Sequence, residues 1–223
     1  MQKRAAGEAA ADLVESGMQV GLGSGSTAAF FVRALAERRL DIVCVATSEG
    51  TAELARSLGL RLSDLDDIET LDLTIDGADE IGPGLALIKG GGGALLREKL
   101  VWEASRRCVV IADEAKVSAD FGRFPLPVEV VAFGWRQTAA RLEAALASLG
   151  LAARPVLRLR GETPARTDSG NLILDLACGV IPDPPRLART IKAITGVVEH
   201  GLFLGLAEMA LIGTETEVIR LTP

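Results

Sequence analysis

The 223 residues include one histidine, no tyrosine, two tryptophans and three cysteines. These scarcities exclude chemistry before any motif is read. A metal centre of several histidines cannot be built from His200 alone. A Ser-His-Asp or Cys-His nucleophile would have to use that single residue. A tyrosine acid is ruled out, so any acid–base work is expected from Asp, Glu and Lys. Cys44, Cys108 and Cys178 are odd in number, far apart and set in apolar runs. They read as small buried hydrophobes in a reducing compartment, not as a disulfide framework. No run of eighteen apolar residues occurs, so no membrane span is expected. The opening Met-Gln-Lys-Arg-Ala-Ala leads into acidic, alanine-rich sequence and not into a signal-peptide core. The chain therefore reads as cytoplasmic.

A basic excess is also missing. Against 24 Lys and Arg stand 30 Asp and Glu, a net charge of −6, which argues against a general nucleic-acid binder. A small anionic substrate stays possible, because a few local lysines can reverse the field in a pocket. With 48% apolar and 24% charged residues, the composition is that of an ordinary globular protein. A chain this long can bury a core without disulfides or structural metals.

The first half alternates between short apolar runs and helical spacing. Strands are expected at 18–22, 41–46, 71–75 and 108–112, and helices at 4–16, 28–38, 49–58 and 94–105. Continuous apolar strands separated by helices indicate a parallel sheet covered on both faces. The pattern changes near Phe124-Pro-Leu-Pro. Strands at 128–132, 154–159, 171–176 and 197–203, with helices at 135–149 and 186–194, give the order β-α-β-β-α-β. This predicts a small α+β, ferredoxin-like domain at 128–199, inserted into an α/β domain of 1–127 plus 200–223. The tail strands 209–212 and 218–221 are expected to return to the first sheet.

Three segments can carry chemistry. Gly21-Leu-Gly-Ser-Gly-Ser-Thr27 sits at a strand-to-helix junction. Its glycines let the backbone approach a ligand, the next helix offers N–H groups to an anion, and Ser24, Ser26 and Thr27 add hydroxyls. The spacing is G-x-G-x-G, neither a dinucleotide fingerprint nor a Walker A loop. A phosphate cradle fits better, against the plainer reading of a tight turn with a Ser/Thr cap.

Asp76-Gly-Ala-Asp79-Glu80 follows an apolar strand, at the sheet edge where α/β proteins bind ligands. Two carboxylates around Gly77 and Ala78 can meet one polyol and move its protons, or they can simply form an Asx-turn. A magnesium reading of the pair is weaker, because Lys89 can supply the positive charge. Lys89 then opens a run of four glycines, Gly90 to Gly93. Such a run costs chain entropy between compact elements, so close backbone approach to a ligand is the better explanation. Glu98 lies on the first turns of the following helix, where it either points back to the loop or pairs outside. Lys116 follows the next strand and Lys3 lies near the N-terminus. Each is able to bind an anion, and each alone is more simply a solvated lysine. His200 reads as structural.

Taken in order, GLGSGSTA, ATSEGT, TIDGADEI, KGGGGALLREK, IADEAK, FPLPVEV, TDSGNLILDL and GVVEHGLF closely resemble the type A ribose-5-phosphate isomerase family over nearly the whole chain. The resemblance implies interconversion of D-ribose 5-phosphate and D-ribulose 5-phosphate without a cofactor or metal. It implies a Rossmann-like domain with a small α+β domain, as a homodimer or homotetramer. It places the catalytic base on Glu98 and the substrate loop on Ser24, Gly25, Ser26 and Thr27. It places the acidic segment on Asp76, Gly77, Ala78 and Asp79, and the glycine loop on Lys89, Gly90, Gly91 and Gly92. Substrate lysines fall on Lys116 and Lys3. Ser24 stands where threonine is common, and the hydroxyl is kept. Which of Asp76 and Asp79 opens the sugar ring stays open. A non-catalytic sugar-phosphate-sensing module is the alternative, disfavoured because there is no room for a helix-turn-helix before Gly21. Nucleic acid and membrane are not expected partners.

Overall fold

Strands that are apolar at nearly every position have to be covered on both faces, and Cys108–Asp113 is buried at all of its positions. The computed structural model describes residues 1–223. In chain order its first elements are α1 (Gln2–Ala11), β1 (Gln19–Leu22), α2 (Ser26–Glu37), β2 (Val43–Ala46) and α3 (Glu49–Ser57). Then come β3 (Leu73–Gly77), β4 (Glu80–Ile81), β5 (Leu87–Ile88), α4 (Leu95–Glu103), β6 (Cys108–Asp113) and β7 (Leu126–Val130). After α5 (Trp135–Ser148) follow β8 (Pro155–Leu157), β9 (Leu159–Arg160), β10 (Thr163–Pro164) and β11 (Leu172–Leu176). The chain ends with α6 (Pro184–Lys192), β12 (Val197–His200), β13 (Leu202–Phe203), β14 (Met209–Gly213) and β15 (Val218–Leu221).

Two compact units result. The first comprises Met1–Ala78, Arg97–Val117 and Gly205–Pro223. Its six-stranded sheet has the order β15-β14-β6-β3-β1-β2 and is parallel except for the edge strand β15. On one face Val20, Leu22, Leu73, Ile75, Val109 and Ile111 pack with Ala6, Ala10, Phe31 and Leu35 of α1 and α2. Val101 of α4 joins Val45 and Leu71 in a second cluster. The strand order reverses beside β1: the chain goes first to β2 and then back across to β3. Such a switch point opens a crevice at the carboxyl ends of the strands, where ligands of open α/β sheets bind.

The second unit comprises Asp79–Leu96 and Ser118–Leu204. Its four-stranded antiparallel sheet, ordered β12-β7-β11-β8, carries the expected β-α-β-β-α-β sequence. Leu126, Val128, Leu174 and Leu176 pack with Leu142 and Leu146 of α5 and with Leu187 and Ile191 of α6. The expected inserted stretch 128–199 lies inside this unit, which also takes in 79–96, 118–127 and 200–204.

One expected strand is two. Residues 197–203 divide at Gly201 into β12, in the four-stranded sheet, and β13, in a three-stranded sheet with β5 and β4. Gly201 donates to Pro127 O at 2.8 Å and accepts from Lys89 N at 2.9 Å. A Cβ there would lie 2.2 Å from Lys89 O, so only glycine lets these backbones approach. The expected strand 154–159 likewise resolves into β8 and β9.

Candidate active site

In the first unit, the Gly21–Thr27 loop leaves β1 and the Asp76-Gly77 pair ends β3, so they meet at the switch point. Gly23 N–H bonds Ile75 O at 2.9 Å. The Asp76 side chain is fully buried, and its Oδ1 accepts from Ser24 N–H at 2.9 Å and from Gly77 N–H at 2.7 Å. The indole Nε1 of Trp102 lies 3.4 Å from Oδ2. Gly23 is required here because a Cβ would fall 2.2 Å from Asp76 Oδ1.

α2 starts at Ser26, after Gly25 with φ of 95°, and no side chain caps it. Its first N–H groups therefore remain available to an anion. Lys3 Nζ stands over this turn, donating to Ser26 Oγ at 3.0 Å and lying 3.8 Å from Asp113 Oδ2. Ser26 is exposed and Thr27 buried. Lys116 ends a short 3-10 turn just after β6, at the same carboxyl edge of the sheet.

The Ser24 side chain sits in a network of hydroxyls. Its hydroxyl lies 2.8 Å from Thr47 Oγ1, 2.7 Å from Ser48 Oγ and 3.2 Å from Thr51 Oγ1. Thr47 and Thr51 in turn donate to Leu22 O and Gly23 O, at 3.1 Å and 3.0 Å. This hydroxyl network ties the loop after β1 to the start of α3, beside a cleft of about 180 Å³ lined by Gly25, Ser48 and Thr51. Sequence reading missed Thr47, Ser48 and Thr51, although the ATSEGT motif contained all three.

Glu98 lies in the first turn of α4 and is 5% exposed, an unusual burial for a carboxylate. In the second unit, Asp79 Oδ2 accepts from Gly91 N–H at 2.6 Å. Lys89 is 2% exposed, with Nζ 5.5 Å from the centroid of the Phe203 ring, a cation–π arrangement. Gly91 and Gly92 are exposed. Asp79, Lys89 and the glycine loop thus share one unit, whereas Ser24–Thr27, Asp76, Glu98, Lys3 and Lys116 share the other. No three His, Cys, Asp or Glu side chains converge as metal ligands would. No helix is long and apolar enough to cross a membrane.

A family profile described as Ribose 5-phosphate isomerase A (phosphoriboisomerase A) matches residues 43–217. A curated ribose-5-phosphate isomerase A from Caulobacter sp. (strain K31) is 61% identical over 222 residues, covering 100% of this chain and 98% of its own. A crystal structure of ribose 5-phosphate isomerase A from Neisseria gonorrhoeae superposes with a TM-score of 0.91 at 37% identity, covering 99% of this chain and 96% of that one. A D-ribose-5-phosphate isomerase solved in complex with phospho-erythronic acid has a TM-score of 0.91 at 32% identity, covering 99% and 97%. The sheet and its edge thus belong to an aldose–ketose isomerase. More narrowly, the chain belongs to the ribose 5-phosphate isomerase A family, whose reaction interconverts ribose 5-phosphate and ribulose 5-phosphate. The sensing-module reading is not favoured.

Proposed function

We propose that this isomerisation runs on carboxylates and lysines alone, with Glu98 as the general base. Glu98 takes the hydrogen from C2 of the open-chain aldose and returns it to C1 through an enediolate. Lys89 and the glycine loop Gly90–Gly92, through N–H groups not taken by Asp79, stabilise the developing oxyanion. The loop Ser24–Thr27, with Lys3 and Lys116, holds the substrate and its phosphate, and this remote binding orients the reacting carbons. Asp76 and Asp79 serve the hydroxyls. Asp79, being partly exposed, is better suited to exchange protons in ring opening, and the fully buried Asp76 to anchor the loop.

The observation that carries this reading is the switch-point junction. A buried Asp76 fixes the Ser24 backbone while Lys3 stands on the open start of α2. Phospho-erythronic acid in the solved relative supports it, because its planar carboxylate has the shape and charge of an enediolate. The same reading carries an inserted domain at 128–199 on a frame of 1–127 plus 200–223, a homodimer or homotetramer, and a cytoplasmic location.

The deciding experiment incubates Glu98→Gln and the unsubstituted protein with ribose 5-phosphate and no added cofactor. Glu98→Gln is expected to keep the circular dichroism spectrum and lose roughly 10²–10⁴-fold in kcat. Near-normal turnover removes Glu98 from the role.

A further inference from the structure

A run of glycines binds a ligand well only if something fixes its shape, because free glycine backbone is the most costly to order. In the second unit the fixing group is a side chain far along the sequence. Arg158, just beyond β8, donates through Nη1 to Gly90 O at 2.7 Å and to Gly91 O at 3.0 Å. Two further donors are held by Asp175 on β11: Nε bonds Oδ2 at 2.8 Å, and Nη2 bonds Oδ1. The backbone of Arg158 is itself fixed, its N–H donating to Ile173 O at 2.9 Å. Both side chains are mostly covered, 18% exposed for Arg158 and 25% for Asp175.

The consequence follows from peptide planarity. In a trans peptide the C=O and the N–H point in opposite directions. The Gly90–Gly91 peptide is gripped at both ends, its carbonyl by Arg158 and its N–H by Asp79 Oδ2. The next peptide offers its Gly91 carbonyl to the same guanidinium, so the Gly92 N–H is turned away from Arg158. The Gly91 N–H is taken by Asp79, so the donor this arrangement presets for an incoming anion is the Gly92 N–H. Five donors in a rigid fork suit this double task, and a lysine could not perform it.

We propose that Arg158, backed by Asp175, is a positioning residue for the isomerisation. It holds the Gly90 and Gly91 carbonyls on one side so that the Gly92 N–H is preset for the enediolate. This rests on the reading that the glycine loop serves the reacting end of the substrate. A preset donor lowers the barrier to the transition state more than it strengthens substrate binding, so loss of Arg158 falls on kcat.

The test measures kcat, KM for ribose 5-phosphate and the inhibition constant of phospho-erythronic acid in Arg158→Met and Asp175→Asn, alongside Glu98→Gln. Arg158→Met is expected to lose roughly 10- to 100-fold in kcat, less than removal of a direct oxyanion donor costs. Its KM should stay within about twofold, and its inhibition constant should rise in step with the loss in kcat/KM. Asp175→Asn leaves the guanidinium in place and should show the same split at smaller size. It decides the matter if Arg158→Met does not fold. A purely structural clamp would lower the melting temperature and leave kcat per folded molecule unchanged, and that result in whichever variant folds overturns the proposal. If Glu98→Gln loses turnover while the Arg158 and Asp175 variants keep it, only this inference fails. If Glu98→Gln turns over normally, the reading beneath it fails first.

Discussion

At the scale of single residues, charge and burial sort the side chains. Lys116 ends the turn after β6 at the carboxyl edge of the sheet, so under the proposed substrate role its removal should cost binding more than chemistry. Lys116→Ala is expected to raise KM for ribose 5-phosphate several-fold, roughly 10-fold for a charged contact, with a smaller change in kcat. Steady-state kinetics checks it, and an unchanged KM removes Lys116 from the substrate. The only imidazole, His200, is buried beside Glu199, its Nε2 3.7 Å from Oε1. His200→Asn should preserve turnover, because proton transfer is assigned to carboxylates. Loss of activity in a folded His200→Asn would contradict that assignment.

The thiols give a pH dependence of known sign. Burial pushes Cys44 and Cys108 up to about 12, and Cys178 up to about 11, from an ordinary value of 9.0. Between those values the unfolded chain has lost these protons while the native thiols keep them. Their contribution to stability is therefore complete below pH 9 and is lost as the pH rises toward 11 and 12. Urea unfolding midpoints should fall with pH across that range, and a triple Cys→Ala variant should flatten the decline. At pH 8 the native thiols should resist iodoacetamide, because the thiolate is the reactive form.

Among secondary-structure elements, the glycines mark where backbones must come close. Gly213, on β14, would place a Cβ 2.1 Å from Gln2 O of α1, and backbone cannot swing aside as a side chain does. Gly213→Ala is expected to destabilise by about 1–3 kcal/mol through overpacking, read from chemical unfolding. Gly91→Ala would press on the Asp79 carboxylate at 2.6 Å instead. Its cost should appear in turnover more than in melting temperature. The parallel strands were legible from their continuous apolar runs, and β6, buried throughout, is the plainest case. The three-stranded sheet of β4, β5 and β13 was not. Its strands are two residues long, too short for any alternation to register, and they exist only because distant segments supply partners.

For the whole molecule, a net charge of −6 is compatible with a sugar phosphate substrate under the proposed reading, in which local cations and an open helix start at one sheet edge receive the phosphate. The field at that edge, not the net charge, governs the encounter, so rising ionic strength should raise KM more than it lowers kcat. Size-exclusion chromatography with light scattering at micromolar concentration should give a dimer or tetramer, and a monomer that keeps full activity would count against the proposed assembly.

The sequence by itself determined the class of fold, the three candidate segments and the exclusion of multi-histidine and tyrosine chemistry. Each is a local property, carried by apolar periodicity, by glycine spacing or by a residue count. Only the tertiary structure decided how those segments are held. The Ser24 hydroxyl is taken up by Thr47, Ser48 and Thr51, Asp76 is locked by backbone N–H groups, and the glycine loop is gripped by Arg158 from 67 and 68 residues away. Hydrogen bonds of that span leave no periodic trace, because their partners are set by sheet order and strand register and not by neighbours in the chain.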